Sequence, residues 1–280
     1  MRATPGFGPS RLAILLGAAC TLVITGVFSP PLRAEDPSRT LLAVFAHPDD
    51  ETVVGPLLAR YAREGVDVHL AIATDGGKGV REHAGIPAGE KLATRRAEEA
   101  RCACRQLGIR PPVLVGLEDG AMQETENKDA FAREVARLFA ELEPDVVVTW
   151  GPDGLSGHTD HRLVSSIVTE VFQAAESPPR QLYYAGFSTE RLDALARARP
   201  EGAAGLPMAV RTVRDRHLPV RIPYTERDAE AAARALDCHE SQYSPPERAN
   251  LGGMARQVEN GVVTLRPWFV DPGPITDLFE

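Results

Sequence analysis

The chain has 280 residues, 43% hydrophobic and 25% charged, which excludes disordered, collagen-like and low-complexity classes. Its formal net charge is −8, and the residues before Glu35 hold three arginines and no acid, so the remainder is more acidic still. A body of that charge lacks the clustered positive surface that nucleic acid or anionic lipid requires.

Arg2 and Arg11 precede an apolar run, Leu12–Phe28, which ends at Ser29-Pro30-Pro31. A basic start, a short apolar segment and a breaker predict a secretory signal peptide over residues 1–34. The run is shorter than the ~20 residues a spanning helix needs, and a retained membrane anchor is the alternative. Either way residues 35–280 form one catalytic domain expected outside the cytoplasm: secreted, periplasmic or anchored facing outward. Any membrane contact is confined to that first segment.

Thr40–Phe45 is a short apolar run that reads as a buried strand leading into Ala46-His47-Pro48. Glu51–Glu64 has helical spacing and stops at Gly65. Val66–Ala73 alternates as a strand, and Thr74–Gly79 (TDGGKG) is a glycine loop. Lys91–Leu107 predicts a long helix closed by Gly108. A strand at Pro112–Leu117, a helix at Lys128–Leu142, a strand at Asp145–Trp150, a helix at His161–Ala175 and a strand near Gln181–Phe187 follow. This alternation predicts an α/β fold: a Rossmann-like three-layer sandwich with a mostly parallel sheet. Beyond residue 188 only the helix Thr225–Ser241 stands out.

Cysteines carry little signal. Cys102 and Cys104, two apart on a helix, diverge by ~200° and cannot pair with each other. One of them is within reach of Cys238 in an oxidising compartment, but buried free thiols are the expectation.

In open parallel sheets ligands bind beyond the carboxyl ends of the strands. Ala46-His47-Pro48-Asp49-Asp50-Glu51 follows the first strand, and Gly157-His158-Thr159-Asp160-His161-Arg162 follows the fourth. Imidazoles and carboxylates from two such loops, with no thiolate, suit zinc or another divalent first-row metal. The glycine loop has neither dinucleotide-fold nor Walker A spacing, and there is no G-x-S-x-G or HExxH.

AHPDDE after the first strand, with GHTDHR about a hundred residues later, resembles the PIG-L/LmbE-like de-N-acetylases. Arg96 and Glu99 match that family's long second helix, and Leu236–Gln242 is similar to its terminal "AxxxHxSQ" motif. The resemblance implies His47, Asp50 and His161 as metal ligands, with Zn2+ expected and Fe2+ possible. It implies Asp49 as the general base, and His158 as the group that stabilises the oxyanion or protonates the leaving amine. Asp160 would orient a histidine. Asp119 matches a sugar-contacting position, with a simple turn as the alternative. His239 would stand at the pocket rim, with packing or capping equally open. Relatives often carry Pro at the place of Thr159 and an arginine near Asp75, so the TDGGKG loop departs from the pattern.

The function so implied is metal-dependent removal of an N-acetyl group from an N-acetylglucosamine-like sugar or glycoconjugate. The competing classes are a metal-dependent amidase or esterase on a non-sugar substrate, and a catalytically silent carbohydrate-binding relative. The partner implied is a small-molecule or glycoconjugate substrate, with no nucleic acid.

Overall fold

A computed structural model of the protein describes residues 1–3, 6, 39–198, 210–258, 261–269 and 276–279. The signal peptide or anchor expected over residues 1–34 therefore lies almost wholly outside the described residues. Among those described, no helix is long and apolar enough to cross a membrane.

Within the unit Pro37–Glu280 the elements run β1 (Thr40–Phe45), α1 (Gly55–Arg63), β2 (Asp67–Thr74), α2 (Glu90–Leu107), β3 (Val113–Leu117), α3 (Thr125–Leu142), β4 (Val146–Trp150), α4 (Thr159–Ala174), β5 (Gln181–Ala185), β6 (Phe187–Ser188), α5 (Thr189–Ala198), β7 (Thr212–Val213), β8 (Val220–Pro223), α6 (Glu226–Asp237), α7 (Pro245–Val258) and β9 (Val262–Pro267). The main sheet has strand order β3-β2-β1-β4-β5-β9-β8. Its first five strands are parallel, with Leu42 beside His69 on one side and Val147 on the other. β9 runs antiparallel to both β5 and β8. Helices α1, α2 and α6 pack together on one face, and α3 packs with α4 on the other. Every residue of β1 and β4 is buried, as their unbroken apolar sequences require of strands covered on both faces.

The α/β sandwich and its parallel core agree with expectation. Three details differ. The helix expected from Glu51 begins as a 3-10 turn, Asp50–Val54, and becomes α-helical only at Gly55. The fifth strand is split by Gly186 into β5 and β6, and β6 pairs with β7 in a separate two-stranded sheet. Cys102 is bonded to Cys238, contrary to the expectation of free thiols, because α2 and α6 lie side by side; Cys104 is buried and free.

Strand order reverses at β1: β2 lies on one side and β4 on the other. The chain segments leaving β1 and β4 diverge there and leave a crevice at the carboxyl edge. That switch point is where the two histidine-bearing loops meet.

Candidate metal centre

Asp50 builds the floor of the crevice. Its Oδ2 accepts hydrogen bonds from the backbone amides of Ala46 (3.0 Å) and His47 (2.9 Å) and from Trp150 Nε1 (3.0 Å). These fix the carboxylate and leave Oδ1 3.3 Å from His161 Nε2. His161 is set by a hydrogen bond between its Nδ1 and the Gly154 carbonyl (3.0 Å), and its ring stacks on Trp150 at 4.5 Å and 8°. Donation from Nδ1 leaves the Nε2 lone pair free. His47 is held the other way round. Its Nε2 faces Asp119 Oδ1 (3.2 Å) and Asp160 Oδ2 (3.3 Å), so the proton belongs on Nε2 and the lone pair on Nδ1. Nδ1 lies 3.1 Å from His161 Nε2 and 3.7 Å from Asp50 Oδ2.

Three acceptor atoms thus converge, and the far side of each group is committed elsewhere. Ligands held ~2.0–2.2 Å from one tetrahedral ion are separated by distances of this size. The charge balance points the same way. Asp49, Asp50, Asp119 and Asp160 crowd the crevice, and Asp160 Oδ1 is buried without a partner among the described residues. Burial would lower the pKa of His47, but hydrogen bonds to Asp119, Asp160 and Asp50 outweigh it and hold it well above its ordinary value. Burial would raise that of Asp50, but the two histidines hold it well below. The donor set fits a divalent cation. His47, His158 and His161 also lie close enough to share an ion, as do His47, Asp119 and Asp160.

Asp49 is the half-buried neighbour of these groups and lines the same cavity, of about 470 Å³. Its Oδ1 accepts a hydrogen bond from Arg96 Nη2 at 2.7 Å. Burial raises its pKa, with Arg96 acting in the opposite sense. His158 caps α4: its Nδ1 accepts from the Asp160 amide (3.2 Å), which directs its remaining ring nitrogen to serve as a donor. Burial and the two neighbouring histidines lower its pKa, so its neutral form is favoured.

Residues 42–172 match the family model described as GlcNAc-PI de-N-acetylase, PIG-L. The chain is 37% identical over 160 residues to the 1D-myo-inositol 2-acetamido-2-deoxy-alpha-D-glucopyranoside deacetylase of Rhodococcus jostii. That alignment covers 50% of this chain and 55% of the relative, so the chain spans about half the length of such relatives. To the deacetylase of the same name from a Mycobacterium species it is 31% identical over 262 residues, covering 85% of this chain and 83% of that protein. The chain belongs to the PIG-L family. Among solved structures, the N,N'-diacetylchitobiose deacetylase of Pyrococcus horikoshii shares the fold at a TM-score of 0.59 and 17% identity, covering 82% of this chain and 84% of that one.

In this PIG-L family chain the structure gathers His47, Asp49, Asp50, Asp119, His158 and His161 on one cavity, with Asp160 buried behind His47. Asp119, expected to touch sugar, turns Oδ1 to His47 and accepts the Lys78 amide on Oδ2 (3.0 Å). His239 does not stand at the rim. It is fully buried and its Nε2 lies 2.6 Å from Glu51 Oε1, because the turn after α6 points the ring inward under Asp49. The sequence assigns no role to Arg96, Glu51 or Trp150. Arg96 matches the family's long second helix, Glu51 closes the same six-residue motif and Trp150 closes β4, and those placements were the available signals. The glycine loop also finds its reason: a Cβ on Gly76 or Gly79 would come within 2.5 Å of Arg96 Nη1. The loop makes room for a guanidinium, not a phosphate.

Proposed function

We propose that this chain is a divalent-metal-dependent N-deacetylase that acts on an N-acetylglucosamine-like sugar or glycoconjugate. The observation that carries this reading is the convergence of His47 Nδ1, Asp50 Oδ1 and His161 Nε2 beside the carboxylate of Asp49. Family membership and the names of the relatives support it.

His47, Asp50 and His161 are assigned as ligands, with zinc favoured by two imidazoles and a carboxylate and Fe(II) as the other candidate. Such an ion, when bound, acidifies a water and polarises a carbonyl. Asp49 is assigned as the base that takes the water's proton; its raised pKa and its seat on the cavity suit that task. His158 donates to the acetamide oxygen as negative charge develops there. Amide cleavage needs a proton on the departing nitrogen, and Asp49, having gained one, and His158 are the groups able to supply it. Asp160 fixes the tautomer of His47 and, through its backbone amide, the ring of His158. Asp119 retains lone pairs for a sugar hydroxyl at the cavity wall.

The site of action is proposed to be outside the cytoplasm. The Arg-flanked apolar run at the N-terminus supports this, as does the Cys102–Cys238 disulfide, a bond favoured in oxidising compartments. The named relatives act on an inositol glycoside, which keeps that substrate in the test set.

Mass spectrometry of products from a panel of N-acetylated sugars, including the inositol glycoside, tests the reading. Free amine and acetate are expected from at least one acetamido sugar. Turnover of peptides or acetyl esters, with none of the sugars, would replace it with the amidase or esterase alternative.

A further inference from the structure

We propose that Glu51 and His239 act as one positioning unit that holds the peptide of Asp49 in its reactive orientation. The proposal rests on the reading of Asp49 as the base.

Asp49 has φ 115° and ψ −18°, in the left-handed half of conformational space that residues with a Cβ seldom enter. Such a backbone persists only where its surroundings over-determine it. Here three groups do so. The Asp49 carbonyl accepts from the Thr52 amide (3.1 Å) and hydroxyl (2.6 Å). Arg96 donates both to the Pro48 carbonyl (2.5 Å) and to the Asp49 side chain (2.7 Å). The Asp49 amide donates to Glu51 Oε2 (3.0 Å).

The third contact reaches deep into the molecule. Glu51 is fully buried, and its other oxygen lies 2.6 Å from Nε2 of the equally buried His239, 188 residues away. His239 Nδ1 has no hydrogen-bond partner among the described residues, so the polar capacity of that ring is spent on Glu51. Neither residue lines the cavity. If the pair served packing alone, hydrocarbon of the same volume would serve as well, because replacing a buried ion pair with apolar side chains is often neutral or stabilising. What hydrocarbon cannot supply is an acceptor for the Asp49 amide. A carboxylate supplies it, and a buried carboxylate in turn requires the donor that His239 brings. The histidine of the chain's last motif, His239, thereby acts on the reaction through two intervening groups, Glu51 and Asp49.

The test compares Glu51→Gln, which keeps an acceptor, with Glu51→Met, which removes it at similar volume. Glu51→Met is expected to lower kcat about 10²-fold, the scale of a small misplacement of a reacting group. KM and metal content should be little changed, and Glu51→Gln should recover most of the rate. In an Asp49→Asn background Glu51→Met should cost nothing further, because its effect passes through Asp49. A second readout is independent of turnover: amide exchange of Asp49, followed by NMR, should quicken in Glu51→Met. If that variant does not fold, the paired Glu51→Met/His239→Leu replaces the whole unit with hydrocarbon and serves in its place. Equal rate losses with and without Asp49, or an unprotected Asp49 amide in the parent enzyme, would overturn the proposal. A protected amide that quickens in Glu51→Met, in an enzyme that deacetylates no sugar, would instead sink the functional reading and leave the positioning intact.

Discussion

Arg96 reaches from the middle of α2 to Asp49 at 2.7 Å, while its other terminal nitrogen donates to the Gly76 carbonyl at 2.9 Å. One guanidinium therefore ties the motif after β1 to the loop after β2. A planar fork can serve several acceptors at once, and an ammonium cannot copy its geometry. Arg96→Lys should lower kcat by about 10²-fold through a displaced Asp49. Arg96→Met should in addition lower stability, by about 1–3 kcal/mol, because it leaves the half-buried Asp49 carboxylate and the Pro48 and Gly76 carbonyls without their donor. Urea unfolding and steady-state kinetics on both variants check this; a Met variant of parental stability and rate would refute it.

The metal assignment separates two overlapping ligand sets. His47→Ala and His161→Ala should each abolish bound metal, measured by elemental analysis of folded protein. His158→Ala should keep its metal, since its Nδ1 caps α4 and Asp50 occupies the third position. Loss of metal in the His158 variant would transfer the ligand role from Asp50 to His158.

Asp49→Asn retains size and polarity but cannot take a proton. Bound metal should persist while kcat falls ~10²–10⁴-fold, the usual cost of losing a general base. Unchanged turnover would remove Asp49 from the chemistry.

The Cys102–Cys238 bridge joins residues 136 apart in sequence. Constraint of so long a loop in the unfolded chain corresponds to ~4–5 kcal/mol in the chain-entropy model. Reduction, or Cys102→Ala with Cys238→Ala, should lower the urea midpoint accordingly. Without reductant, alkylation in denaturant should leave Cys102 and Cys238 unlabelled and mark Cys104, whose thiol is buried and pushed up in pKa in the native fold, together with Cys20 where residues 1–34 are retained.

Acid sensitivity is expected from the start of α6. Asp228 accepts from Arg63 Nε (2.8 Å) and Nη2 (3.0 Å) and closes a capping box with Thr225. Burial alone would raise its pKa, but Arg63 and Thr225 outweigh that and lower it. A carboxyl depressed on folding adds stability that is complete above its unfolded value of ~3.9 and fades as pH falls through the folded value. Asp228→Asn should therefore cost about 1–2 kcal/mol at pH 7 and progressively less as pH falls below the carboxyl's unfolded value. An equal loss at every pH would show that its charge is immaterial.

The first five strands and the helices between them were legible because buried parallel strands read as apolar runs and their crossover helices carry clean stops such as Gly108. The antiparallel pair β8 and β9 was not. Val220–Pro223 and Val262–Pro267 are short, partly exposed and nearly forty residues apart, so neither periodicity nor a hairpin turn marks them. The candidate metal ligands were legible from two loops, yet the tautomers of their histidines were not, since these depend on Gly154, Asp119 and Asp160 in space. A bridge from Cys102 or Cys104 to Cys238 was one sequence alternative, but nothing favoured it over free thiols, because adjacency of α2 and α6 is a property of the packed fold. His239 suggested a polar rim residue, and only the fold shows the ring turned inward to Glu51.

The glycine loop over Arg96 divides freedom unevenly along five successive positions. Gly76 and Gly79 are closed to any side chain by the guanidinium beneath them. Lys78, paired with Glu118, and the exposed Val80 alternate with these glycines and border the same cavity. Change at the closed positions would dismantle the support of Asp49, whereas change at the open ones would alter only what the cavity admits. Under the proposed function, substrate preference can therefore drift along this loop by substitution at Lys78 and Val80 while the proposed base, Asp49, keeps its seat.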